Sequence, residues 1–202
     1  MKRILILVLL GLPAFSFAQN FPFDHWHDGK IILESGDTIH GSIKYGLDDL
    51  LQVRHNNQIE SFSARKILLF EIFDQGYRRF RSFYSLPYSA NGGYKSPVLF
   101  ELLTEGKITL LSREKLEYRS YGYSPFMYGG YNQRLVMVHL YFLLRENGNI
   151  EDFSGRRKDW LDLMGNHANQ VNEYAKDNKL DFDRIYDLKR IVDYYNTFFH
   201  SN

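Results

Sequence analysis

Between Gly29 and Tyr45 the chain alternates with a strict period of two, and this period limits the possible fold more than any other feature. Ile31 and Leu33 lead into Glu34-Ser35-Gly36-Asp37, after which Ile39, Gly41, Ile43 and Tyr45 alternate with Thr38, His40, Ser42 and Lys44. Successive side chains of an extended strand point to opposite faces, so the spacing predicts a β-hairpin with one buried face and a turn at Gly36-Asp37. Gly41, on the inward face, points to a bulge or a close approach of another backbone.

Similar extended stretches recur at Leu50 to Arg54, Ile59 to Phe62, Ile67 to Phe73, Tyr77 to Leu86, Val98 to Thr104, Lys107 to Tyr118, Arg134 to Leu144 and Ile150 to Phe153. Several links are short and carry glycine, as at Glu105-Gly106 and Asn147-Gly148, which suits hairpin loops. Strand after strand with no intervening helical period predicts an antiparallel sandwich, roll or small barrel. The apolar supply agrees: 16 Phe, 15 Tyr and 2 Trp in 202 residues favour pleated, half-buried surfaces.

After Gly155 the period lengthens to nearly four. Trp160, Leu161, Leu163 and Met164 suit one short helix, Ala168, Val171, Tyr174 and Ala175 a second, and Ile185, Leu188, Ile191, Val192 and Tyr195 a third. Breaks fall at Gly165-Asn166 and around Asn178-Lys179-Leu180. The expectation is therefore a mainly β domain with a C-terminal tail of short helices, α+β overall.

The first residues read as a secretory signal peptide: Lys2 and Arg3, an apolar run from Ile4 to Leu12, Pro13, and a small-residue exit at Ser16-Phe17-Ala18. That apolar run is shorter than the roughly 20 residues a membrane-crossing helix needs, so cleavage after Ala18 is expected, with no transmembrane span left in the mature chain. The expected organisation is a signal peptide over 1–18, an antiparallel β domain over 19–155 and a helical tail over 156–202 packed on it, in a periplasmic or extracellular protein. With no cysteine, the mature chain can carry neither a disulfide nor a lipid on cysteine, so packing alone must stabilise it. Removing Lys2 and Arg3 takes Lys+Arg from 25 to 23 against 24 Asp+Glu, a formal charge of −1. This balance argues against a nucleic-acid partner or an anionic membrane surface.

Gly29-Lys30-Ile31-Ile32-Leu33-Glu34-Ser35-Gly36-Asp37-Thr38-Ile39-His40-Gly41, together with the tail from Asn178-Lys179-Leu180 to Asp193-Tyr194-Tyr195-Asn196, resembles a group of uncharacterised exported β-rich proteins of Bacteroidota. The resemblance covers most of the mature chain in the order of its parts. It implies a fold and a location, and no activity.

No cofactor motif stands out, and the chemistry-bearing candidates each have a plainer reading. His25 and His27, within Asp24-His25-Trp26-His27-Asp28, could grip one metal ion from an extended chain, but a zinc site needs a third and usually a fourth ligand. The plainer reading is a polar lead-in anchored by Trp26. Ser154-Gly155 lacks the Gly-x-Ser-x-Gly elbow of a nucleophile. Glu114 and Glu117, in Arg113-Glu114-Lys115-Leu116-Glu117, could be set as a glycosidase pair but read as a solvated strand edge. Arg78-Arg79-Phe80-Arg81 reads as a surface strand whose arginines divide between two faces.

The segment Tyr118 to Tyr131 is different in kind. Tyr121, Tyr123, Phe126, Tyr128 and Tyr131 lie among Gly122, Pro125, Gly129 and Gly130, an aromatic loop of the sort binding surfaces use, or an insertion folded back on the sheet. These five residues are the candidate contact for an envelope protein or glycan. The functional expectation is an exported, non-catalytic binding or structural module. The alternatives are a barrel-type carrier of a small apolar ligand, or a hydrolase whose site the sequence does not reveal.

Overall fold

The structure of the protein, a computed structural model, describes residues 21–56, 58–90, 92–123 and 131–199, with side chains left aside at 121–123, 131 and 132. Among these residues ten strands make one antiparallel sheet. They are β1 (His27–Leu33), β2 (Thr38–Tyr45), β3 (Leu50–His55), β4 (Gln58–Ser63), β5 (Ile67–Asp74), β6 (Arg79–Tyr88), β7 (Ser96–Thr104), β8 (Thr109–Tyr123), β9 (Tyr131–Leu144) and β10 (Ile150–Phe153). The spatial order is β10-β9-β8-β7-β6-β5-β1-β2-β3-β4.

The β1–β2 hairpin forms where the alternation places it. Ile31 stands opposite Ile39, the Leu33 N–H donates to the Asp37 carbonyl at 2.9 Å, and Gly36 turns the chain with φ 90°. That angle lies in the region side chains disfavour, which is why glycine holds the position. At Gly41 a Cβ would lie 2.4 Å from the carbonyl oxygen of Arg54, so the close backbone approach is real.

The link from β4 to β5 determines the shape of the first half. A 3₁₀ turn of three residues, Ala64–Lys66, joins them, yet β5 lies beside β1 with β2 and β3 intervening. In a flat sheet four inter-strand steps of about 4.8 Å would separate β4 from β5 by roughly 19 Å. The link can span at most about 14 Å. The sheet must therefore roll, and Ile31, Ile43, Leu51, Val53, Ile67, Phe70 and Ile72 fill the roll with essentially no exposed surface. Phe70 stacks on Phe83 of β6 with ring centroids 4.4 Å apart, which carries this core into the second half of the sheet.

There the sheet is closed by helices: α1 (Arg157–Met164), α2 (Ala168–Asp177) and α3 (Ile185–Thr197). Trp160, Met164, Val171, Ala175, Leu188, Ile191 and Val192 cover Leu103, Ile108, Leu110 and Leu143 on one face of β7–β9. The opposite face buries Val98, Phe100, Leu111 and Phe142. Asn196 of α3 clamps the two layers: its Oδ1 accepts the Ile108 N–H at 2.9 Å while its Nδ2 donates to the Ile108 carbonyl at 2.9 Å. Among the described residues no helix is long and apolar enough to cross a membrane.

Strand boundaries differ from the sequence reading in ways that matter at two places. Tyr77 and Arg78 belong to the turn before β6, where Arg78 takes φ 54°. The supposed loop from Tyr118 is in part strand, since β8 runs on to Tyr123 and pairs it with Tyr131 of β9.

Candidate functional site

Two arrangements of polar residues stand out, one sealed in the sheet and one projecting from it. The sealed one is built on Arg81. Alternation in β6 turns Arg81 and Phe83 to the inner face, while Phe80 points outward and is 78% exposed. Arg81 Nε and Nη2 grip both oxygens of Glu101 on β7 at 2.9 and 2.8 Å, and Nη2 also donates to Glu114 on β8 at 2.7 Å. Nη1 donates to Asp74 at 3.1 Å and to the Tyr45 hydroxyl at 2.8 Å, and Tyr45 in turn donates to Glu114 at 3.0 Å. All five donors of the guanidinium thus have an acceptor. All four charged side chains are buried.

This corrects two expectations. The Arg78–Arg81 run is not a surface strand throughout: its arginines do divide between faces, but Arg81 is among the most deeply buried side chains in the protein. Nor is Glu114 solvated. Of the supposed carboxylate pair only Glu117 lies at the surface, bound to Lys115 at 3.2 Å. Burying an arginine costs heavily unless its donors are met, and three strands each bring a carboxylate to the same point. The legible signal was Glu101, a lone carboxylate in the apolar run Val98-Leu99-Phe100-Glu101-Leu102-Leu103.

The surroundings of this node are electrically tight. Burial lifts the Glu114 carboxyl above its ordinary range, against the pull of Arg81, and the charge of Glu101 adds to the lift. Burial likewise pushes the Tyr45 hydroxyl far up. His139, opposite Glu114 in the β8–β9 ladder, is pushed down to about 4 by burial, with Arg81 adding to the effect against Glu101. Tyr186 of α3 approaches Glu101 at 3.5 Å and carries the Arg79 guanidinium 3.5 Å above its ring, which ties the helices to the node.

Catalytic arrangements fare poorly here. Ser112 Oγ and His139 Nδ1 are both buried without a hydrogen-bond partner, so they form no serine–histidine relay with each other. Glu101 and Glu114 are committed to Arg81. The space beside them, lined by Tyr45, Glu101, Ser112 and Glu114, is about 30 Å³, enough for a few water molecules. Ser154 donates to the Asp159 carboxylate at the start of α1. His27 is 4% exposed with Nε2 held 2.8 Å from the Pro22 carbonyl, and Trp26 lies under the Arg54 guanidinium at 4.2 Å. Among the described residues no cluster of three or more His, Asp or Glu is placed to hold a metal.

The chain matches no family model, no curated protein and no solved structure.

The second arrangement is an arm. β7 pairs with β8 only through Glu101, Leu102 and Thr104, and β10 pairs with β9 only from Tyr141 to Leu144. Beyond these points Arg113 to Tyr123 and Tyr131 to Leu140 pair only with each other, over about 34 Å at 3.4 Å per residue. Asp49 is the wedge that parts β8 from β7. Its Oδ1 accepts the Leu99 N–H at 2.8 Å, and its carboxylate binds Arg113 Nη2 at 3.1 and 3.0 Å. The backbones of Tyr121, Tyr123 and Tyr131 belong to this arm; their side chains, and Phe126 and Tyr128 altogether, lie outside the described residues. Tyr118, 72% exposed, is the arm's exposed aromatic within them.

Proposed function

We propose that this protein is an exported, non-catalytic binding module that meets an envelope protein or glycan through the β8–β9 arm and the aromatic residues between Tyr121 and Tyr131. The observation that carries this reading is the arm itself, two strands whose backbones beyond Arg113 and Leu140 pair, among the described residues, only with one another. Sheets do not extend such ribbons for stability, because open edges invite pairing with other chains. A rigid ribbon ending in tyrosines offers a large amphipathic contact at low conformational cost. The packed roll and the satisfied Arg81 node support a binding role over a carrier or hydrolase role: the inside of the roll is filled by its own side chains, and the donors of Arg81 are all met within the node. The signal-like first eighteen residues support export, which N-terminal sequencing of the exported protein would test by finding Gln19 first.

Replacing Tyr121, Tyr123 and Tyr128 together by Ser tests the contact. The expected result is a melting temperature close to wild type with loss of the envelope component recovered by the tagged mature protein. A collapsed melting temperature, or unchanged recovery, overturns the proposal.

A further inference from the structure

We propose that the β8 edge of the arm pairs with the same edge of a second copy of this chain, antiparallel about a two-fold axis at Tyr118. The inference rests on the arm being a contact element and assigns a partner to its flank, separate from the aromatic residues between Tyr121 and Tyr131. Past Arg113, among the described residues, no strand or loop backbone is bonded to the outer edge of β8. Proteins protect an edge of this kind by making it short, by placing proline, charge or a bulge in it, or by covering it, and here charge and a bulge near Tyr121 are the devices present. From Lys115 to Tyr123 there is no proline, and the length is that of an ordinary strand.

The charges select the partner. Lys115, Glu117 and Arg119 share one face of β8, and Leu116, Tyr118 and Ser120 share the other. With the axis at Tyr118, Glu117 lies opposite the partner's Arg119 and Arg119 opposite the partner's Glu117. Tyr118, exposed in the monomer, meets the partner's Tyr118. Opposite charges and aromatic pairs directly across a ladder are favourable, and like charges are not. Shifting the axis to Glu117 sets Lys115 against the partner's Arg119 and the two glutamates against each other. Centring it on Arg119 opposes two arginines. Centring it on Leu116 draws in Arg113, which Asp49 already holds in the wedge. Tyr118 is thus the axis at which charge and open backbone agree, and the dimer sends its two arms in opposite directions.

Because the chain has no cysteine, single cysteines report this register directly. Opposite residues in a ladder stand about 4.5–5.5 Å apart at Cβ, close to the separation a disulfide bridges. In the full mature protein under mild oxidation, Tyr118→Cys should form disulfide dimers at least tenfold faster than Glu117→Cys, Ser120→Cys or Val136→Cys. Without cysteines, sedimentation should show Glu117→Arg and Arg119→Glu each weakening self-association at least fivefold, with the double exchange restoring it. A protein that stays monomeric at millimolar concentration overturns the inference. So does equal cross-linking at all positions, or faster cross-linking at Val136 on the β9 edge. The Tyr121, Tyr123, Tyr128 to Ser variant should still dimerise. If it loses its envelope partner while Tyr118→Cys does not cross-link, the binding role stands and the self-pairing falls.

Discussion

The rolled half of the sheet, β1 to β5, and the helix-backed half, β7 to β9, belong to one continuous sheet but are closed in different ways. The roll closes on itself, because a three-residue link brings β5 back beside β1 and the strands' own side chains fill the inside. The helix-backed half cannot do this. Leu103, Ile108, Leu110 and Leu143 find their cover in helices that come after the last strand. One half thus draws nearly all of its core from the residues up to Asp74, with Phe83 and Leu99 added from β6 and β7, while the other depends on residues beyond Gly155. The two cores meet at Arg81, which is linked to the roll through Tyr45 and to the helices through Glu101 and Tyr186. The arm is what remains of the sheet where neither closure reaches.

Truncation after Gly155 is the hardest test of this division. It exposes the four apolar side chains beneath the helices, each worth roughly 1.5–3 kcal/mol of burial. The shortened chain should aggregate, and hydrogen exchange should show β8 and β9 losing protection before β1 and β2. A soluble truncation with an unchanged melting curve would make the helices an appendage.

Next in size is Arg81→Ala, which leaves Asp74, Glu101 and Glu114 buried without their cation. Urea unfolding should show a loss of about 3–5 kcal/mol, the usual cost of stripping one partner from a buried ion network. A neutral result would mean that the two cores stand independently.

His139 gives a pH-dependent test. Its imidazole is held to about 4 in the fold and takes up its proton near the ordinary 6.5 when unfolded. The unfolded chain therefore binds more protons between these values. Stability from this group is fully present above pH 6.5 and is lost as pH falls toward 4, by about 3 kcal/mol. Glu114 works in the opposite sense, since its raised folded pKa makes stability decline as pH rises above its ordinary range. Unfolding free energies across pH 4 to 7 should show His139→Gln flattening the acid-side loss. An identical slope in the variant would remove His139 from the node's electrostatics.

The smallest effect lies in the roll. Gly36→Val should cost about 1 kcal/mol in chemical denaturation, all of it from the positive φ, since nothing lies within 4 Å of the added Cβ. A neutral outcome would show that the turn relaxes without disturbing the roll.

Much of the architecture was legible because its signals are local. The alternation from Gly29 to Tyr45 places the first hairpin, most strand boundaries fall within two residues of the periodic stretches, and the four-residue spacing after Gly155 marks all three helices. The lone Glu101 was a legible hint of a buried ion network. Its cation was not, since Arg79 and Arg81 look alike in the chain and only the surrounding strands distinguish them. Arg81 faces carboxylates from β5, β7 and β8, whereas Arg79 finds the ring of Tyr186.

The arm shows the same division. Its aromatic composition is visible in the sequence, but its freedom from the sheet is not. That freedom depends on Asp49, fifty residues before Leu99 in the chain, taking the N–H that would have continued the ladder to β8. By itself, then, the sequence determined which segments are strands, which are helices and where the chain turns, because backbone period and turn chemistry act over a few residues. The tertiary structure alone decided which charges are buried, how the sheet closes and which edge stays open, because those outcomes depend on groups that only the fold brings together.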